Sequence, residues 1–183
     1  MAPVGENRSR KLIGLAGFMG CGKTTIGRLL AQQIGWRFVD LDTLIEQTAG
    51  LSIPAIFERL GEAAFREIEH EALSRTLGEA HEQARAMVVA LGGGTIAQPA
   101  NLSLLRSAGC TVIWLRCPIE VLLSRCATIT NRPLFRDEAS FRKLHEERLP
   151  FYEQADYQVD SSMEPRRVVE QILALDYFQR VVA

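Results

Sequence analysis

The sequence predicts an α/β fold: one parallel sheet of five strands with helices on both faces. Short apolar runs alternate with segments of helical spacing along the whole chain. Two of the runs, MVVAL at 87–91 and CTVIWL at 110–115, carry no polar alternation, as strands buried on both faces must. The first run, from Leu12, breaks into glycines and then resumes as an amphipathic helix, which is the strand–loop–helix opening of such folds. At 183 residues the chain suits one well-filled core better than two, since typical domains run to about 100–200 residues.

In order, residues 1–10 read as a flexible lead-in and the domain as 11–183. In the stretch LIGLAGFMGCGKTTIGRLL, Gly17, Gly22, Lys23 and Thr24 satisfy G-x-x-x-x-G-K-[ST]. Glycines let successive backbone N–H groups turn towards one anion, and the helix from about Lys23 adds its positive end. The Lys23 ammonium suits outer phosphates, and the Thr24 hydroxyl suits a Mg²⁺ that bridges them. Ile26, Leu29, Leu30 and Ile34 give that helix its apolar face, and Gly35 ends it. Residues 36–42 (WRFVDLD) read as a second strand whose period of two puts Asp40 and Asp42 on one face, at the carboxyl end. A phosphate loop needs carboxylate near its metal, which favours the pair over two solvated loop aspartates.

Ser52 caps a helix with Pro54 in its first turn, broken at Gly61, with Ile56, Phe57, Leu60, Phe65, Ile68, Ala72 and Leu73 inward. Arg66 lies four residues after Glu62 and three before Glu69. Helical spacing alone favours a surface ion pair there; the sharper alternative is that Glu69 aims Arg66 at a carboxylate. Gly92, Gly93 and Gly94 follow the third strand, either as a flexible turn or as a place where ligand lies on the backbone. A helix over 99–108 ends at Gly109, the fourth strand follows, and Pro118 opens a helix to about Cys126. Residues 127–138 lose all periodicity and read as a mobile segment in which Pro133 holds Arg132 extended. Helical spacing returns over 141–149 and stops before Pro150, a strand covers 157–159, and a terminal helix covers 165–175.

Composition bounds the function classes. A net charge of −1 gives no general attraction to nucleic acid or to an anionic membrane, and no apolar run is long enough to span a bilayer. The polar amino terminus is not a signal peptide, so a cytoplasmic chain is expected, and the lack of a long apolar seam points to a monomer. The four cysteines, Cys21, Cys110, Cys117 and Cys126, form no metal-ligand pattern with His70, His81 or His145 and are expected to be reduced. Cys21, beside Lys23 in an N–H-rich loop, is expected to favour its thiolate.

The segments GFMGCGKTT, FVDLD, IFERLGEAAFREIE, LGGGT, NRPL and ERLPFYEQAD occur in the order and approximate spacing of shikimate kinases, which this chain resembles over about residues 12–160. The resemblance implies a P-loop NTPase-type, nucleoside monophosphate kinase-like sheet and transfer of the ATP γ-phosphoryl group to the 3-hydroxyl of shikimate. It implies that Gly20, Cys21, Gly22, Lys23, Thr24 and Thr25 hold the ATP phosphates, with Mg²⁺ on Thr24 and on Asp40 through its water shell. Asp42 would bind the shikimate hydroxyls and act as base. Arg66 and Arg148 would take the carboxylate, with Glu69 orienting Arg66. Gly92, Gly93 and Gly94 would lie near the ring, and Phe57 and Phe65 would wall it. Arg132 would be the lid arginine over residues 127–138, Arg125 would lie against adenine, and the substrate region would cover about 42–75. The chain departs from the family in SSMEPRR, where Met163 and Glu164 stand in place of a basic residue near adenine. Two alternatives share the phosphate loop: another small-molecule kinase such as a gluconate kinase, and an ATP-binding module without catalysis.

Overall fold

The structure, a computed structural model, describes residues 11–127 and 137–181, apart from the side chains of 179–181. The strands β1 (Leu12–Ala16), β2 (Arg37–Asp40), β3 (Met87–Ala90), β4 (Thr111–Arg116) and β5 (Tyr157–Asp160) form one sheet. Its order is β2-β3-β1-β4-β5, and every pairing is parallel. The helices are α1 (Lys23–Ile34), α2 (Leu41–Ala49), α3 (Ile53–Glu82), α4 (Pro99–Ser107), α5 (Ile119–Ala127), α6 (Glu138–Tyr152), α7 (Pro165–Leu173) and α8 (Asp176–Val181). Parallel neighbours require crossover connections, and the helices supply them.

Burial follows position in the sheet. Every residue of the inner strands β1 and β3 is buried, whereas the edge strand β2 is not fully buried anywhere. Helices α1 and α7 pack against each other, and α1 also lies on β2 and β3. On α1, Ile26, Leu30 and Ala31 face the core. On α7 it is Val168, Val169 and Ile172, so the helical period does select the inward faces. Because β1 has β3 on one side and β4 on the other, the chain changes direction of winding beside β1, and ligands bind outside strand ends at such a point.

Four expectations need correction. β2 ends at Asp40, whose carboxylate accepts the Thr43 N–H at 3.1 Å and caps α2, so Asp42 lies in the first helical turn and not on a shared strand face. The capping preference of aspartate outweighs strand alternation there. Helix α6 runs through Pro150 to Tyr152. The proline removes one N–H only a turn from the helix end, opposite the exposed Glu146, and the ladder resumes with the Glu153 N–H on the Leu149 carbonyl at 3.0 Å. Leu60 is exposed, because Gly61 at φ 83° and ψ 173° breaks α3 and resets its period. The terminal helix stops at Leu173, and α8 follows with Phe178 against Trp36 at 6.4 Å between ring centroids. The lead-in 1–10, Arg132 and most of the 127–138 segment lie outside the described residues.

Helix α6 is packed on the loop after β1 through Phe18, whose ring meets Phe141 edge-on at 5.0 Å and His145 edge-on at 5.2 Å. Burial pulls the His145 imidazole below its ordinary value of 6.5, against a smaller upward push from Glu146. In this window the unfolded chain binds the proton first, so His145 removes stability as pH falls below about 6.5 and stops doing so once the folded imidazole is itself protonated. His145→Gln is therefore expected to flatten the dependence of Tm on pH as pH falls below about 6.5, measured by thermal melts against the unsubstituted chain. Parallel melting curves in that window would contradict this.

Candidate active site

The loop between β1 and α1 is built on positive-φ glycines. Gly17, Gly20 and Gly22 have φ 146°, 82° and 96°, which L side chains rarely adopt. A Cβ on Gly17 would also lie 2.8 Å from the Leu115 carbonyl oxygen, so the loop crosses tightly over β4. Gly22 caps α1 without a side-chain bond, leaving the first-turn N–H groups of the helix for a ligand. Lys23 is folded back onto the loop: its Nζ donates to the Gly17 carbonyl at 2.8 Å and to the Phe18 carbonyl at 3.2 Å. Thr24 Oγ1 donates to Asp40 Oδ2 at 2.5 Å, so the hydroxyl and carboxylate expected around a divalent cation already meet.

The second half of the site is the turn after β3. A Cβ placed on Gly92 would lie 2.8 Å from Asp42 Oδ1, 2.9 Å from Thr95 Oγ1 and 3.1 Å from Glu69 Oε1. On Gly93 it would lie 3.2 Å from Arg148 Nη1 and 3.8 Å from the Gly17 carbonyl. On Gly94 it would meet Arg66 Nη2 at 2.9 Å and Arg148 Nη2 at 3.2 Å. Two guanidinium groups from different helices thus converge on one glycine turn, which itself touches the loop bearing Lys23. The turn is also held by Tyr152, which is buried and stacked on Trp114; the Tyr152 hydroxyl donates to the Gly93 carbonyl at 2.5 Å. Desolvation there pushes the Tyr152 phenol up, so it remains a donor.

Each arginine is oriented. Arg66 donates through Nη1 to Glu69 Oε2 at 2.9 Å and through Nη2 to Glu62 Oε1 at 3.3 Å, and its Cζ lies 5.1 Å from the Phe65 ring centroid. Arg148 lies over Phe18, with Cζ 5.6 Å from the ring centroid. Glu69 is only 1% exposed, so the pair is not a surface ion pair, which would leave both partners in water. Phe57 and Phe65 face each other across the Gly61 break at 4.6 Å between centroids. An open cleft of about 330 Å³ between α3 and α4 also touches Arg66, but it includes neither Phe57, Gly93 nor Arg148.

The structure therefore brings together Gly20, Gly22, Lys23, Thr24 and Asp40 on one side, and Asp42, Arg66, Gly92, Gly93, Gly94 and Arg148 on the other. Arg125 donates to the carbonyls of Gly20 at 3.2 Å, Ser161 at 3.1 Å and Ser162 at 3.1 Å, tying the phosphate loop to the turn after β5. Cys21 is buried, so its access to a thiol reagent is narrow. Sequence reasoning passed over Thr95, whose Oγ1 donates to Glu69 Oε1 at 2.7 Å, and Tyr152. Hydroxyls beside a glycine run and an arginine one turn away were the available signals.

The chain is similar to proteins of one family over most of its length. A model of the family "Shikimate kinase" matches residues 19–176. A shikimate kinase of Synechococcus sp. (strain CC9605) is 46% identical over 172 residues, covering 91% of this chain and 83% of that one. Among solved structures, shikimate kinase from Acinetobacter baumannii in complex with shikimate superposes with a TM-score of 0.84 at 36% identity, covering 94% of this chain and 97% of that one. A gluconokinase from Sinorhizobium meliloti shares the fold at a TM-score of 0.63 and 21% identity, with 96% of this chain and 95% of that one covered. With a family model matched over most of its length and a relative 46% identical over 91% of it, this chain belongs to the shikimate kinase family.

Proposed function

We propose that the chain transfers the γ-phosphoryl group of ATP to the 3-hydroxyl of shikimate, giving shikimate 3-phosphate and ADP, a step towards chorismate and the aromatic amino acids. The observation that carries this is the convergence of Arg66 and Arg148 on the Gly93–Gly94 turn beside the Lys23 loop. Guanidinium forks take carboxylate as well as phosphate bidentately, and with the phosphates on the Lys23 loop an organic acid bound here has its ring hydroxyls directed towards the nucleotide. Arg66 also keeps a buried N–H, at Nε, without a partner among the described residues.

On this reading Phe57 and Phe65 wall the ring, the Gly92–Gly94 backbone lies against it, and Asp42 orients the 3-hydroxyl and takes its proton as the new O–P bond forms and the bond to the ADP oxygen breaks. Lys23 exchanges its carbonyl partners for the outer phosphates. The amides of residues 20–25 hold the phosphate chain, Arg125 lies against the base, and Arg132 neutralises charge on the transferring group. Such transfer asks mainly for alignment and positive charge. Thr24 and Asp40 present hard oxygen donors to one point, which fits Mg²⁺, and they would hold it, Asp40 through water. When bound, Mg²⁺ supplies charge neutralisation between phosphates. Residues 11–183 then act as one kinase domain with its substrate region over about 42–75 and its lid over 127–138. A monomer in the cytoplasm fits the surface, where Leu60 and Met163 are the exposed large apolar side chains among the described residues.

ADP formation by the purified chain is expected to depend strictly on shikimate; turnover with gluconate instead, or with no acceptor, would refute the assignment. Arg66→Ala and Arg148→Ala should each raise the KM for shikimate by tenfold or more while changing kcat less, and Arg132→Ala should chiefly lower kcat, read from steady-state kinetics. Equal effects on both parameters in all three variants would contradict that division. Gly92→Ala should lower kcat/KM by about 100-fold with the circular dichroism spectrum retained, because a methyl group at that point displaces the oxygens around it.

A further inference from the structure

Glu69 is a carboxylate with both oxygens engaged by different donors. Oε2 accepts from Arg66 Nη1 at 2.9 Å, and Oε1 accepts from Thr95 Oγ1 at 2.7 Å. Thr95 is fully buried and Glu69 is 1% exposed, so water is a poor substitute for either bond. A carboxylate held at one oxygen only is free to rotate about its last bond and to offer both oxygens to the guanidinium in a fork, which is the preferred pairing of the two groups. The Thr95 hydroxyl blocks that rotation. It leaves Glu69 holding Arg66 through Nη1 alone, while Nη2 is bonded to the exposed Glu62 and both terminal nitrogens lie beside Gly94.

Thr95 also belongs to the turn that the arginines approach. Its N–H donates to the Gly92 carbonyl at 3.1 Å, and it begins the 3-10 turn Thr95–Ala97 directly after Gly94. One residue therefore closes the glycine turn with its backbone and sets the direction of Arg66 with its side chain. We propose that Thr95 is a positioning residue for the acceptor: through Glu69 it holds the Arg66 guanidinium towards Gly94, and so governs the affinity for the acceptor carboxylate without touching the acceptor. This rests on the reading of Arg66 as a carboxylate ligand given above.

The alternative is that Thr95 only fills space, and substitutions of matched shape separate the two. Thr95→Val keeps the volume and the branched shape but removes the donor, whereas Thr95→Ser keeps the donor and removes the methyl group. A positioning role predicts that Thr95→Val raises the KM for shikimate about tenfold, with kcat and the KM for ATP within about twofold, and that Thr95→Ser stays within about twofold throughout. Thr95→Ala and Thr95→Ser repeat the contrast with side chains smaller than threonine, so an unstable valine variant leaves the question decidable. In a Glu69→Gln background the valine substitution should add less than a further twofold, since it acts through the same group. Equal behaviour of the serine and alanine variants, or full multiplication of the two effects in the double variant, would overturn the proposal. The unsubstituted chain, assayed alongside, separates this from failure of the functional reading: with no shikimate-dependent ADP formation there is no KM to shift, and the assignment of the acceptor itself is what fails.

Discussion

A single buried carboxylate, Glu69, joins Arg66 on α3 to Thr95 beside the glycine turn, and the arrangement around that turn depends on it. The Arg66–Glu69 pair has side-chain exposures of 19% and 1%, so it lies where a charge left alone is expensive. Removing one member of such a pair typically costs about 3–5 kcal/mol, yet the intact pair adds little net stability over an apolar replacement. Its use is direction. With Glu69 fixed from one side by Thr95, the guanidinium of Arg66 is turned to the Gly92–Gly94 turn, where Arg148 arrives from α6. The turn has room for both because it has no side chains: three oxygens, from Asp42, Thr95 and Glu69, already crowd the place where a methyl group of residue 92 would be.

The sheet order explains why that turn faces a phosphate loop. With β1 between β3 and β4, and β2 outside β3, the carboxyl ends of β1, β3 and β2 follow one another along one edge. The loop after β1 carries Lys23, the turn after β3 carries the glycines, and the end of β2 carries Asp40. Three segments distant in sequence thereby meet without any long excursion of the chain. Helix α6 completes the arrangement by presenting Arg148 and Tyr152, four residues apart and so on one face, to the same turn.

Much of this was legible in the residues. The strand–glycine–helix opening, the buried apolar strands and the carboxylate at the end of β2 each follow from local rules, and the rules agree with one another. Less legible was whatever depends on where a helix sits. Helical spacing could not tell whether Arg66 faces water or a pocket, because both give the same i,i+3 and i,i+4 partners. Only the burial of Glu69 against Thr95, 26 positions further on, settles it. The placement of Asp42 failed for the opposite reason: an aspartate that caps a helix and an aspartate that ends a strand look alike in sequence, and Asp40 is both. Tyr152 was hidden behind Pro150, which in most helices marks an end.

The phosphate loop has sulfur behind it. The Cys21 sulfur lies 2.7 Å from where a Cβ of Gly17 would be, the Cys126 sulfur 2.8 Å from that of Gly20, and the Cys117 sulfur accepts from Arg125 at 3.8 Å. All three thiols are buried, and burial pushes the Cys117 thiol up. The sulfurs of Cys21 and Cys126 occupy volume that Gly17 and Gly20 leave empty. A side chain at position 17 or 20 would therefore have to displace a sulfur as well as strain the main chain, so the packing behind the loop and the path of its backbone are fixed together.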